Sequence, residues 1–209
     1  MRYGLQIALV LSASLAIAAE RPSIGLLTEF PADAPAAVRQ EFRVETERAL
    51  AAAGTDLVWR QLGESGREES FDRLVVLRFR GNCKGSPSLA DRRSLPLGLT
   101  HVSNGQVLPF VEIDCQRVLA AIEGGPGQSP FGQSHATVGR ALGRVAAHEI
   151  HHVLTASGAH DVDGLMKSAF DWRDLRGPEL SFSAESLRRL KLSMGTATTQ
   201  TAAQIKTDD

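Results

Sequence analysis

Residues 148–166 read HEIHHVLTASGAHDVDGLM and hold four of the chain's six histidines. The segment opens inside a run with helical apolar spacing: Val138, Leu142, Ala146, Ile150 and Val153 form one stripe. On a helix, His148 and His152 are separated by roughly 400° of rotation, so both imidazoles leave from nearly one face. Two imidazoles so placed reach a single ion, and zinc suits imidazole nitrogen and tetrahedral geometry. Glu149 is rotated by about 100° from His148, beside that ion rather than pointing straight at it. That is where a general base for an activated water belongs, and His148-Glu149-Ile150-His151-His152 completes an HExxH pattern.

A catalytic tetrahedral site needs three protein ligands and one open position. Gly158 is read as the helix terminator, taking the left-handed conformation and turning the chain back. His160 follows two residues later and is the expected third ligand. Asp161 and Asp163 are the alternatives, since carboxylate oxygen also binds zinc. His151 is rotated by about 300° from His148 and is read as a packing or partly exposed histidine. His101 and His135 are read as surface or cap residues, and Asp171 and Asp174 as loop or cap carboxylates.

An HExxH helix followed by Gly158, His160 and the turn-like Gly164-Leu165-Met166 resembles the metzincin zinc peptidases. The resemblance implies an α+β domain, a small mixed sheet packed with helices, with an edge strand lining the cleft. It implies that Met166 lies in a tight turn beneath the metal. The match to that pattern is incomplete. Gly158 and His160 stand six and eight residues after His152, against a family spacing of three and six. His151 occupies a position where glycine is common, and Tyr3 is the chain's only tyrosine.

Outward from the motif, the chain carries signs of export. MRYGLQIALVLSASLAIAAE has an early Arg2, an apolar run from Leu5 to Leu15, and a small-x-small end at Ala16-Ile17-Ala18. It reads as a signal peptide over residues 1–19, too short for a comfortable membrane span of about 20 apolar residues. The only cysteines, Cys83 and Cys115, then lie in an oxidising compartment that favours a disulfide; two buried free thiols are the alternative. With 23 basic and 24 acidic residues the net charge is −1, which gives no electrostatic reason to expect nucleic acid.

The remaining segments place the motif. SIGLLTEF reads as a strand, and PAAVRQEFRVETERALAAAG as an amphipathic helix stopped at Gly54. TDLVWRQL and FDRLVVLRFRG read as further strands. LGLTHVSNGQVLPFVEID is a hairpin turning at Asn104-Gly105. Pro109 cannot donate to a ladder, so the strand over 106–114 is expected to be an edge or bulged, and is the expected docking edge for a peptide. CQRVLAAIEG reads as a short helix, and SAESLRRLKLSM as a final helix capped by Ser183. One domain is expected over residues 20–194, followed by a polar frayed tail over 195–209. The stretch between signal and motif helix is expected to build the sheet, and no long pro-segment is evident in it.

These readings converge on an exported zinc metallopeptidase acting on peptides or proteins. One catalytic zinc is held by His148, His152 and His160, with Glu149 as general base. The alternative is a non-catalytic exported binding domain in which zinc only stabilises the fold or a partner site, signalled by Asp161 or Asp163 in the fourth position. No stable membrane span is expected once the signal is cut.

Overall fold

The computed structural model describes residues 21–64, 69–83, 96–123, 133–195 and 200–201; the expected signal peptide lies outside them. Strand β1 (Ser23–Glu29) leads into helix α1 (Ala36–Leu50), and β2 (Asp56–Gln61) returns beside β1. A two-residue strand β3 (Ser70–Phe71) precedes β4 (Arg73–Arg80). The hairpin β5 (Gly98–Ser103) and β6 (Gln106–Asp114) turns through Asn104 and Gly105, both with positive φ, as the Asn-Gly pair demands. Helix α2 (Cys115–Glu123) follows directly. The motif lies on α3 (His135–Thr155), a 21-residue helix whose Ser134 cap accepts from Thr137 N–H. Short α4 (Trp172–Arg176), α5 (Ala184–Gly195) and β7 (Gln200–Thr201) complete the order. Two residues of the expected tail thus pair antiparallel with β3.

The main sheet runs β2-β1-β4-β6-β5, parallel except for β5, which pairs antiparallel with β6. It is a mixed sheet covered by helices. The edge beside the motif is therefore β5, not the expected 106–114 strand: β6 is hydrogen-bonded on both sides, to β4 and β5. The bulge reading of Pro109 is the one that fits. Pairing passes from Thr100↔Val111 to Val102↔Val107, so His101 faces three residues of β6, Pro109 at their centre. Pairing with β4 begins only at Phe110. The missing N–H is thus placed where neither ladder calls on it.

Helix α3 is buried along most of its length. Val138, Leu142, Ala146 and Ile150 enter one core with Ile24, Leu26, Val75, Leu77 and Ile113 of the sheet. On another face, Gly139 and Gly143 let α1 approach closely. A Cβ on Gly139 would lie 2.7 Å from the Val38 carbonyl oxygen, and one on Gly143 2.9 Å from that of Phe42. Arg144, wholly buried, pairs with Glu45 of α1 at 2.6 Å. Its guanidinium also donates to the carbonyls of Asp174 and Pro178, so it ties α1 and α3 to the segment after the motif. Burial would raise the Glu45 carboxyl; Arg48 and Arg144 together hold it below the usual range.

Cys83 and Cys115 are joined by a disulfide, 32 residues apart in sequence. The enclosed chain carries the β5–β6 hairpin. Closing a loop of that length removes roughly 3–4 kcal/mol of denatured-state entropy in the chain-entropy account. Urea titration of the Cys83→Ala/Cys115→Ala variant is expected to show a stability loss of about that size.

Candidate metal centre on helix α3

Three histidines meet at the C-terminal end of α3. Ligand nitrogens of His148, His152 and His160 all lie within 4.8 Å of one another. His148 and His152 are buried, while His160 is exposed and arrives from the loop beyond the helix. The helix ends two residues earlier than expected. Ala156, not Gly158, takes the left-handed conformation (φ 48°, ψ 40°), and its N–H closes on the His152 and Val153 carbonyls. Gly158 has no positive φ. An alanine tolerates this single left-handed residue at a cost of about 1–2 kcal/mol. The chain then returns through Ser157–Ala159 to bring the His160 ring to 5.1 Å from His148 and 4.9 Å from His152, centroid to centroid.

The two buried rings are oriented by main-chain carbonyls. His148 Nδ1 bonds Leu165 O at 2.6 Å, and His152 Nδ1 bonds Ser157 O at 2.6 Å. A carbonyl only accepts, so each Nδ1 carries the proton and each Nε2 presents a lone pair. Those two Nε2 atoms stand 3.0 Å apart. Two facing lone pairs at that distance repel unless a proton or a cation sits between them. Burial disfavours the proton: it lowers His148 to about 4 despite the Leu165 hydrogen bond, and lowers His152 as well. Tetrahedral zinc with bonds of 2.0–2.1 Å would set its nitrogens about 3.3 Å apart. The donor set and spacing fit such an ion, and a ring N–H held by a carbonyl is the usual support for a ligating histidine.

The Gly164–Met166 stretch is a buried 3-10 turn, and its role here is concrete. Leu165 supplies the carbonyl that orients His148, and the Met166 carbonyl accepts from Asp161 N–H at 2.8 Å. Met166 itself is fully buried. Of the carboxylates weighed as ligands, Asp161 is engaged by Ser183, Ser186 and Arg189, and Asp163 is exposed at the head of the turn. Neither belongs to the histidine cluster. Burial would raise the Asp161 carboxyl, but the two hydroxyls and Arg189 hold it at about 2.

Glu149 lies against the edge strand. Thr100 of β5 donates its hydroxyl to Glu149 Oε2 at 2.7 Å. Burial pushes the Glu149 carboxyl up, with the Thr100 hydrogen bonds opposing. The close approach depends on Gly98: a Cβ there would fall 2.8 Å from Glu149 Cγ and 2.9 Å from Val145 Cγ1. His151 faces away from the cluster, packs on Phe182 and donates from Nε2 to the Ser186 carbonyl at 3.1 Å, a packing residue as expected. His101 pairs with Glu112, and Asp171 with Asp174 forms the capping box of α4. The roles of Thr100 and Gly98 follow from strand order, for which their own stretch of sequence carries no local signal.

The histidines and Glu149 open onto a cleft of about 690 Å³. One wall is Leu97 with the first residues of the edge strand β5, Gly98 to Thr100, and the opposite side is Lys167–Phe170. Leu99 and Val102 are half-exposed or more along that edge. Among the described residues no helix is long and apolar enough to cross a membrane.

No family model matches this sequence, and no curated protein matches it either. Among solved structures, the fold is similar to archaemetzincin from Methanopyrus kandleri, a crystal structure at 1.5 Å resolution. The two chains share 10% identity; the likeness covers 84% of this chain and 96% of that one, with a TM-score of 0.48. Likeness at that level carries no functional assignment, which must rest on the site.

Two outcomes follow for the metal-free protein. The buried histidines have lowered pKa values, so their contribution to stability is complete above about pH 6.5 and is lost as pH falls toward 4. His148 alone accounts for on the order of 3 kcal/mol over that window. Glu149 acts in the opposite direction, so denaturant midpoints of Glu149→Gln should fall more steeply on acidification than those of wild type. Separately, Gly98→Ala should cost about 1–3 kcal/mol by overpacking against Glu149 and Val145, read from the same denaturation curves.

Proposed function

We propose that the protein is an exported zinc-dependent peptidase in which His148, His152 and His160 hold the metal and Glu149 is the general base. The observation that carries this reading is the pair of Nε2 atoms facing each other at 3.0 Å, with His160 beside them and a glutamate on the cleft wall. A bound zinc ion would supply Lewis acidity, lowering the pKa of a water toward about 7 and polarising a carbonyl.

The chain's own groups do the rest. Glu149 takes the proton of the attacking water and passes it to the leaving amine of the scissile bond. Thr100 keeps its carboxylate at the cleft wall, and the burial that raises its pKa suits it to accept and then release a proton. Among the described residues β5 is the end strand of the sheet, and its outer side would offer main-chain donors and acceptors to an extended peptide added as a further strand. Docked there, the peptide runs beside Glu149 and the histidines, with Leu99 and Val102 offering apolar contact.

Export is supported by the N-terminal apolar run with its small-residue end and by the Cys83–Cys115 disulfide, a bond favoured outside reducing compartments. The competing reading, zinc as a purely structural ion, calls for a closed fourth position. Neither Asp161 nor Asp163 reaches the cluster, which favours the catalytic reading.

Glu149→Ala separates the two. The variant should bind about one zinc per chain while hydrolysis of a denatured-protein or peptide-library substrate falls by at least about 100-fold. Unchanged cleavage by Glu149→Ala would remove the catalytic assignment.

A further inference from the structure

His148 and His152 each have a ring N–H anchored on a carbonyl. The His160 ring has no such anchor among the described residues, and it is exposed. Something else must fix it, because an exposed side chain on a return loop would otherwise lose considerable rotamer and backbone freedom on ligating a metal. The next residue is pinned from every side. The main-chain N–H of Asp161 donates to Met166 O at 2.8 Å, and Asp161 bridges to Lys167. Its carboxylate accepts from the Ser183 hydroxyl at 2.5 Å, from the Ser186 hydroxyl and from Arg189. Ser183 at the same time caps α5, accepting from Ser186 N–H at 3.0 Å. His151 fastens that end of α5 to α3 through the Ser186 carbonyl.

We infer that Asp161 is the positioning residue for the third ligand, and that the N-terminus of helix α5 holds His160 in place through it. The inference rests on the metal reading above. The third histidine stands eight residues after His152 on the return loop, and the side chain held by hydrogen bonds there is the neighbouring Asp161 carboxylate. Asp161 is then a group that acts through His160 and not a ligand itself. Support of this kind, one shell removed from the metal, is commonly worth 10–100-fold in affinity.

The test is the zinc dissociation constant of the full-length protein, measured by competition with a chromophoric chelator. Asp161→Asn keeps the shape of the side chain, and Arg189→Met removes one clamp as a second variant. Asp161→Asn is expected to weaken zinc binding by about 10–100-fold in the wild-type background and by no more than about 2-fold when His160 is already alanine. Arg189→Met should weaken it in the same direction. Leu190→Ala removes a fully buried side chain of the same helix; it should lower the melting temperature while leaving zinc affinity as in wild type. Wild-type affinity in Asp161→Asn would overturn the inference. So would equal weakening with and without His160, or a loss in Leu190→Ala as large as that in Asp161→Asn. A wild-type protein that binds no zinc is a distinct result, which removes the metal site itself.

Discussion

Helix α3 is clasped so closely that it has little freedom left, and the site inherits that rigidity. The sheet takes its apolar stripe, α1 presses against its glycines, and the buried Arg144 fastens it to Glu45. Removing Glu45 would leave the buried Arg144 guanidinium without its counter-charge, at a cost of about 3–5 kcal/mol. What remains open is the end where His148, Glu149 and His152 face the cleft. Their relative positions are thus set by helix geometry and packing, not by a mobile loop, which is what a precise constellation needs.

The elements around that window are each held by a different device. Carbonyls from Ser157 and Leu165, both downstream of the helix, set the ring orientation of His152 and His148. The β5 edge, which brings Thr100 to Glu149, belongs to the chain closed by the disulfide. The segment between the 3-10 turn and α5 is held by Arg144 through the Asp174 and Pro178 carbonyls. Core, disulfide and buried ion pair therefore all bear on one small volume.

Much of this was legible in the sequence, and the reason is locality. The His148–His152 pair, the Asn104-Gly105 hairpin and the Ser183 cap depend on a few neighbouring residues, so short patterns suffice to find them. The misreadings concern non-local facts. Pro109 pointed to an edge or a bulge in β6. Only strand order decides between them, and β5 took the edge. Gly158 was the natural terminator by conformational preference, yet the left-handed residue is Ala156, whose N–H closes on the His152 and Val153 carbonyls. The close α1–α3 approach at Gly139 and Gly143, the buried Arg144 and the clamp on Asp161 were invisible, since each involves partners distant in sequence.

The central claim is that three histidines from a helix and its return loop converge on one ion. A crystal structure of the zinc-loaded protein, with anomalous diffraction collected on both sides of the zinc absorption edge, tests it most directly. The account predicts a single anomalous peak within about 2.0–2.1 Å of a ring nitrogen from each of His148, His152 and His160, with no carboxylate in contact. A peak elsewhere, or one ligated by Asp161 or Asp163 in place of His160, would contradict it.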